Sequence, residues 1–86
     1  MNEKNNLTTK ETFALAVQNH KKNNFKVVEK LYKEILKINP IHVNALSNLG
    51  VVFRELGEQE RAKSCYKKAW KLKPTSINAQ ALIVAI

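Results

Sequence analysis

The sequence predicts an all-α protein, an α-solenoid of antiparallel helix hairpins stacked in tandem. Three observations carry that expectation. Residues recur at a fixed shift of 34 along the 86-residue chain, the signature of units that must stack to bury their apolar faces. Within each period the apolar positions follow i, i+3, i+4, i+7 spacing, the pattern of one helical face. Turn-formers are scarce, with two glycines and two prolines in all.

The shift places Leu15 on Leu49, Tyr32 on Tyr66, Lys33 on Lys67, Lys37 on Lys71 and Pro40 on Pro74. Asn44 falls on Asn78 and Ala45 on Ala79, while Ala16/Gly50, Ile38/Leu72 and Asn23/Gly57 are conservative pairs. The spacing predicts helices near 9–22, 25–38, 43–56, 59–72 and 77–86. Thr8-x-x-Glu11 reads as a capping box opening the first, because Thr and Glu three apart satisfy each other's free backbone donors. Gly57 separates the third and fourth helices and suits a left-handed C-cap. Pro74 stops the fourth, since proline cannot continue the backbone ladder, and Ser76 suits the cap of the fifth. The chain therefore divides into a flexible N-terminal segment at 1–8, one repeat at 9–42, a second at 43–76 and the first helix of an incomplete third at 77–86.

The second unit reads Leu46-x-x-Leu49-Gly50-x-x-Phe53, then Ala62-x-x-x-Tyr66, Ala69 and Pro74. That pattern resembles the tetratricopeptide repeat, written W-x-x-L-G-x-x-Y, A-x-x-x-F, P over 34 residues. Small residues at Gly50, Ala62 and Ala69 suit close helix approach, with Leu49, Phe53 and Tyr66 filling the space beside them. Leu49→Ala is accordingly expected to cost about 2–5 kcal/mol, and Gly50→Leu to force the hairpin apart. The first unit departs from the pattern: Thr12 and Asn19 stand where large apolar residues belong, and Val28 and Ile35 where alanines belong. Val28 and Ile35 are expected to fill the space that Asn19 vacates. The resemblance covers about two and a half repeats, residues 9–86. The stretch Glu29 to Leu36, followed by Asn39-Pro40-Ile41-His42, is further similar to bacterial repeat segments found ahead of glycosyltransferase or sulfotransferase domains.

The resemblance implies a protein-protein interaction scaffold. Members of that family bind a peptide or a partner helix on the concave wall made by the first helix of each hairpin. Carried over by position, the groove residues are Phe13, Val17, His20, Asn44, Asn48, Val51, Arg54 and Asn78, with Lys10, Ser47 and Ala85 beside them. Asn48 is singled out, since an asparagine just before Leu-Gly grips a peptide backbone in some members; a carboxamide supplies both donor and acceptor. Only one such rung exists, because the matching positions are Ala14 and Leu82. Asn48→Ala is expected to weaken peptide binding and leave stability nearly unchanged. The family's clamp for the Glu-Glu-Val-Asp tail of chaperones is not expected, since its positions hold Phe13, Val17, Asn48, Asn78 and Leu82 and only Asn48 fits.

Composition narrows the alternatives. Fifteen Lys+Arg against seven acidic residues give a net charge of +8. Lys26, Lys30, Lys33 and Lys37 make one stripe on the second helix, and Lys63, Lys67 and Lys71 repeat it on the fourth. Such a ridge attracts acidic surfaces or nucleic acid. No aromatic interleaves with it as base stacking requires, so a solvated face is the expectation and nucleic acid is disfavoured. Ile77, Ala81, Leu82, Val84, Ala85 and Ile86 leave the final helix apolar on more than one face. That implies the N-terminal part of a longer protein, a homo-oligomer joined through 77–86, or a helix that folds back as its own cap.

No enzyme, metal or cofactor chemistry is expected. Cys65 stands alone, a small hydrophobe beside Tyr66, and excludes an internal disulfide. His20 and His42 lie on different elements with no aspartate in the chain to orient either, and the isolated glycines make no phosphate loop. His42 is expected to face solvent and Trp70 to pack between helices. With no signal-like apolar start and no stretch of spanning length, a cytoplasmic protein without a membrane span is the expectation.

Overall fold

The computed structural model of the chain describes residues 7–75. The expected helix at 77–86, its Ser76 cap and the groove position Asn78 lie outside the described residues.

Four helices run in order: α1 (Thr9–Lys21), α2 (Phe25–Ile38), α3 (Val43–Glu55) and α4 (Gln59–Leu72). Each falls within one residue of its expected bounds at either end. The helices pack as two hairpins, α1 on α2 and α3 on α4, and the hairpins join through α2 against α3.

Local chemistry sets each boundary. Thr8 Oγ1 accepts from the Glu11 backbone N–H at 3.1 Å, and the Thr8 N–H donates to Glu11 Oε1 at 2.9 Å, so the capping box is formed. α1 ends in a left-handed Asn23 at φ 62, with the Asn24 N–H reaching Asn19 O and the Asn23 N–H reaching His20 O. α3 ends the same way on Gly57 at φ 78, with Glu58 N–H on Phe53 O and Gly57 N–H on Arg54 O. Both are Schellman turns one repeat apart, and Asn and Gly are the residues that enter this conformation at least cost. α2 and α4 stop ahead of Pro40 and Pro74. Asn39 (φ −135) and Lys73 (φ −148) have both left the helical region there, Lys73 in extended backbone, as the clash with a following proline ring favours.

The core joins Ala16, Val28, Tyr32 and Ile35 of the first hairpin to Ala45, Leu49, Val52, Phe53, Ala62, Cys65 and Tyr66 of the second. Gly50 lies against the Tyr66 ring: a Cβ placed on it falls 2.5 Å from Tyr66 Cε1. Close approach, inferred from small residues in sequence, is here a contact between one glycine and one ring.

One expectation changes, at Trp70, and Asn19 and Leu15 each depart from the role of their repeat partners. Val28 and Ile35 are buried, and Asn19 takes a polar role at the end of its helix. Its Nδ2 donates to Leu15 O at 2.9 Å, its Oδ1 accepts from Asn24 Nδ2 at 3.0 Å, and so it fastens the α1–α2 turn. Leu15, the repeat partner of Leu49, is 38% exposed where Leu49 is 4%. Leu49 sits between two hairpins, whereas no hairpin lies ahead of Leu15 among the described residues. Trp70 is 41% exposed and not held between helices, because its neighbour Ala69 takes the inward position of that turn.

Candidate functional site: the α1–α3 face

α1 and α3, the first helices of the two hairpins, share a furrow containing two shallow depressions. One, of about 250 Å³, is lined by Val17, His20 and Lys21 of α1, Tyr32 of α2, and Asn48 and Val51 of α3. The other, of about 410 Å³, is lined by Thr9, Lys10 and Phe13 with His42 and Asn44. Phe13 meets Tyr32 edge to face at 5.6 Å and 64°, so this aromatic contact divides them.

The furrow gathers most of the residues expected from sequence. Val17, His20, Asn48 and Val51 converge on the first depression, and Phe13 and Asn44 line the second. Arg54 lines neither; it lies three residues beyond Val51 on α3 and is exposed. His20 also meets the Phe25 ring edge at 5.7 Å, which ties the end of α1 to the start of α2.

Asn48 is not a free carboxamide in solvent. Its Nδ2 donates to the Tyr32 hydroxyl at 3.0 Å. Tyr32 is fully buried, and burial pushes its phenol up from the usual tyrosine value, against a smaller downward pull from Asn48. The phenol therefore keeps its proton, and the floor of the depression carries a fixed neutral pair. An Asn48→Ala change strips a buried hydroxyl of its donor, so from the structure a loss of about 1 kcal/mol is expected in place of near-neutral stability.

His42 does not simply face solvent. It is the N-cap of α3, with Nδ1 accepting from the Ala45 N–H at 3.1 Å, and its ring stacks on Phe13 at 5.6 Å and 21°. The ring proton thus belongs on Nε2. The register held this signal: Thr8, His42 and Ser76 are 34 residues apart, and the outer two read as caps from sequence. Tyr32 was missed as a lining residue because its repeat position marks it as core, and it serves both roles. Lys21 was missed because the last turn of α1 shows no motif.

Outside the furrow, Cys65 is buried and burial pushes its thiol up, which disfavours the reactive thiolate. Among the described residues no group of three or more His, Cys or Glu side chains is placed to hold a metal ion. No helix among them is long and apolar enough to cross a membrane.

Residues 31–64 match the family model of the tetratricopeptide repeat, from within α2 to within α4. Two solved structures share the fold. The crystal structure of MamA protein superposes with a TM-score of 0.84 at 22% identity, over 91% of this chain and 43% of that one. A second, MamA AMB-1, gives 0.81 at 23% identity over the same shares. At these identities the common feature is the fold, an all-α solenoid of tetratricopeptide-type hairpins. The chain spans under half the length of either MamA structure. No curated protein matches it. Neither likeness brings a glycosyltransferase or sulfotransferase domain with it.

Proposed function

We propose that this chain is a protein-interaction scaffold and that the α1–α3 furrow binds an extended segment of a partner protein. The observation that carries the reading is convergence: Val17, His20, Asn48 and Val51, chosen from sequence, line one depression floored by Tyr32. The pieces suit a peptide. Val17 and Val51 offer apolar contact. Asn48, with one N–H spent on Tyr32, keeps an N–H and a carbonyl for a backbone amide. A donor and acceptor fixed side by side bind a peptide group with little loss of side-chain freedom.

The fold supports binding rather than catalysis. His20 and His42 are each engaged with a phenylalanine ring, and Cys65 lies buried outside the furrow. The lysine ridge supports a nucleic-acid reading less well, because Glu29 lies within it and pairs with Lys26 at 3.8 Å and Lys33 at 2.8 Å.

Backbone amide shifts in NMR test the proposal, with a panel of unstructured peptides as titrant. Shifts clustered at Val17, Asn48 and Val51 are expected. Shifts confined to α2 and α4 would move the site to the outer face and end this reading.

A further inference from the structure

The ion pairs found among the described residues all lie on the outer helices or their caps. Lys26 and Lys33 pair with Glu29, Arg61 with Glu58 at 3.1 Å, and Lys63 with Glu60 at 3.8 Å. On the furrow side the cations Lys10, Lys21 and Arg54 make no ion pair among the described residues. The local carboxylates are elsewhere. Glu11, the only acid of α1, is engaged in the capping box, and Glu55, the only acid of α3, lines neither depression. The positions that look most basic in sequence are thus partly neutralised, while among the described residues Lys10 and Lys21 stay unpaired beside the apolar Val17 and Val51.

The geometry points to an acidic, extended protein segment as the occupant of this furrow, its carboxylates meeting Lys10 and Lys21 and an apolar side chain seated on Val17 and Val51. The inference rests on the peptide-binding reading above and adds the chemistry of the partner. Spacing follows from the scaffold. Lys10 and Lys21 mark the two ends of α1, roughly 16 Å apart at helical rise, a distance that about five residues of extended chain cover. Partner carboxylates about five residues apart therefore fit the furrow, whereas adjacent ones reach a single lysine.

Capped octapeptides with a central leucine, carrying Glu, Gln or Lys at two positions five apart, test this with the full chain. Binding is read by anisotropy and by amide shifts. The Glu peptide is expected to bind about tenfold more tightly than the Gln peptide, weakening with salt, and the Lys peptide not to bind. Two double variants change net charge equally. K10Q/K21Q is expected to lose the preference for Glu, and K30Q/K37Q on the outer ridge to keep it; unchanged helix content guards against misfolding. Equal affinity for Glu and Gln peptides, with shifts at Val17, Asn48 and Val51, overturns the acidic partner and leaves the furrow reading standing. A preference lost in K30Q/K37Q instead assigns the charge recognition to the ridge and also overturns it. If no peptide shifts the furrow residues, both readings fall.

Discussion

Asn48 and Tyr32 meet across the junction of the two hairpins, with Nδ2 of the one 3.0 Å from the hydroxyl of the other. Tyr66, the repeat partner of Tyr32, is equally buried, yet its hydroxyl has no hydrogen-bond partner among the described residues. Among the described residues the same residue type at the same repeat position is therefore satisfied once and left unsatisfied once. Tyr32→Phe should cost about 1 kcal/mol, since it breaks a made bond, and Tyr66→Phe should fall within about 0.5 kcal/mol of zero or stabilise. Urea melts of both variants check the contrast; equal losses would mean the Asn48 bond contributes nothing.

Gly50 and Tyr66 set a second test. Helix propensity alone says that glycine to alanine in a helix interior gains up to about 1 kcal/mol. The new methyl here would sit 2.5 Å from a ring carbon that is itself buried. Gly50→Ala should thus destabilise by about 1–3 kcal/mol, as overpacking does. A rise in melting temperature would show that the ring yields freely.

The left-handed turns give opposite signs at equivalent sites. A Cβ at Gly57 meets nothing within 4 Å, so Gly57→Ala carries backbone strain only, about 1–2 kcal/mol. Asn23→Gly relieves the milder strain of an asparagine, although the loosened unfolded chain offsets part of that gain. A change between zero and about 0.5 kcal/mol in the stabilising direction is expected for it by thermal denaturation.

Glu29 links stability to pH. Its side chain is 12% exposed, and the Lys33 hydrogen bond, the largest influence, holds the carboxyl below its ordinary value of 4.5 despite the opposing effect of burial. A carboxyl lowered on folding stabilises above its unfolded value and loses that contribution as pH falls through the folded one. Because Lys33 is half exposed, the contribution is under about 1 kcal/mol. Glu29→Gln should therefore melt lower than the parent near neutral pH, and the two curves should converge as pH falls below the ordinary carboxyl value and through the lowered one. A gap that persists in acid would trace to packing.

The capping positions close the set. Thr8→Ala and His42→Ala should each cost about 1 kcal/mol. His42→Ala should also free the Phe13 ring, visible as a change in its NMR ring shifts, whereas Thr8→Ala should leave that ring unmoved. Identical Phe13 spectra in parent and His42→Ala would remove the stack.

What the sequence alone determined is the course of the backbone. Helical bounds follow from periodic apolar residues, from Pro40 and Pro74, and from Asn23 and Gly57. All of these act within a few residues of themselves, so their effect is readable locally. The 34-residue register then fixed which faces pair, and with them most of the furrow. Tertiary structure decided how particular side chains meet: Asn48 on Tyr32, His42 on Phe13, Gly50 under Tyr66, Leu15 left open while Leu49 is enclosed. It also decided that Glu29 compensates the outer lysines while Lys10 and Lys21 make no ion pair among the described residues. These outcomes depend on distances between atoms of different helices. A repeat pattern gives equivalent residues the same label, but their neighbours in space are not the same.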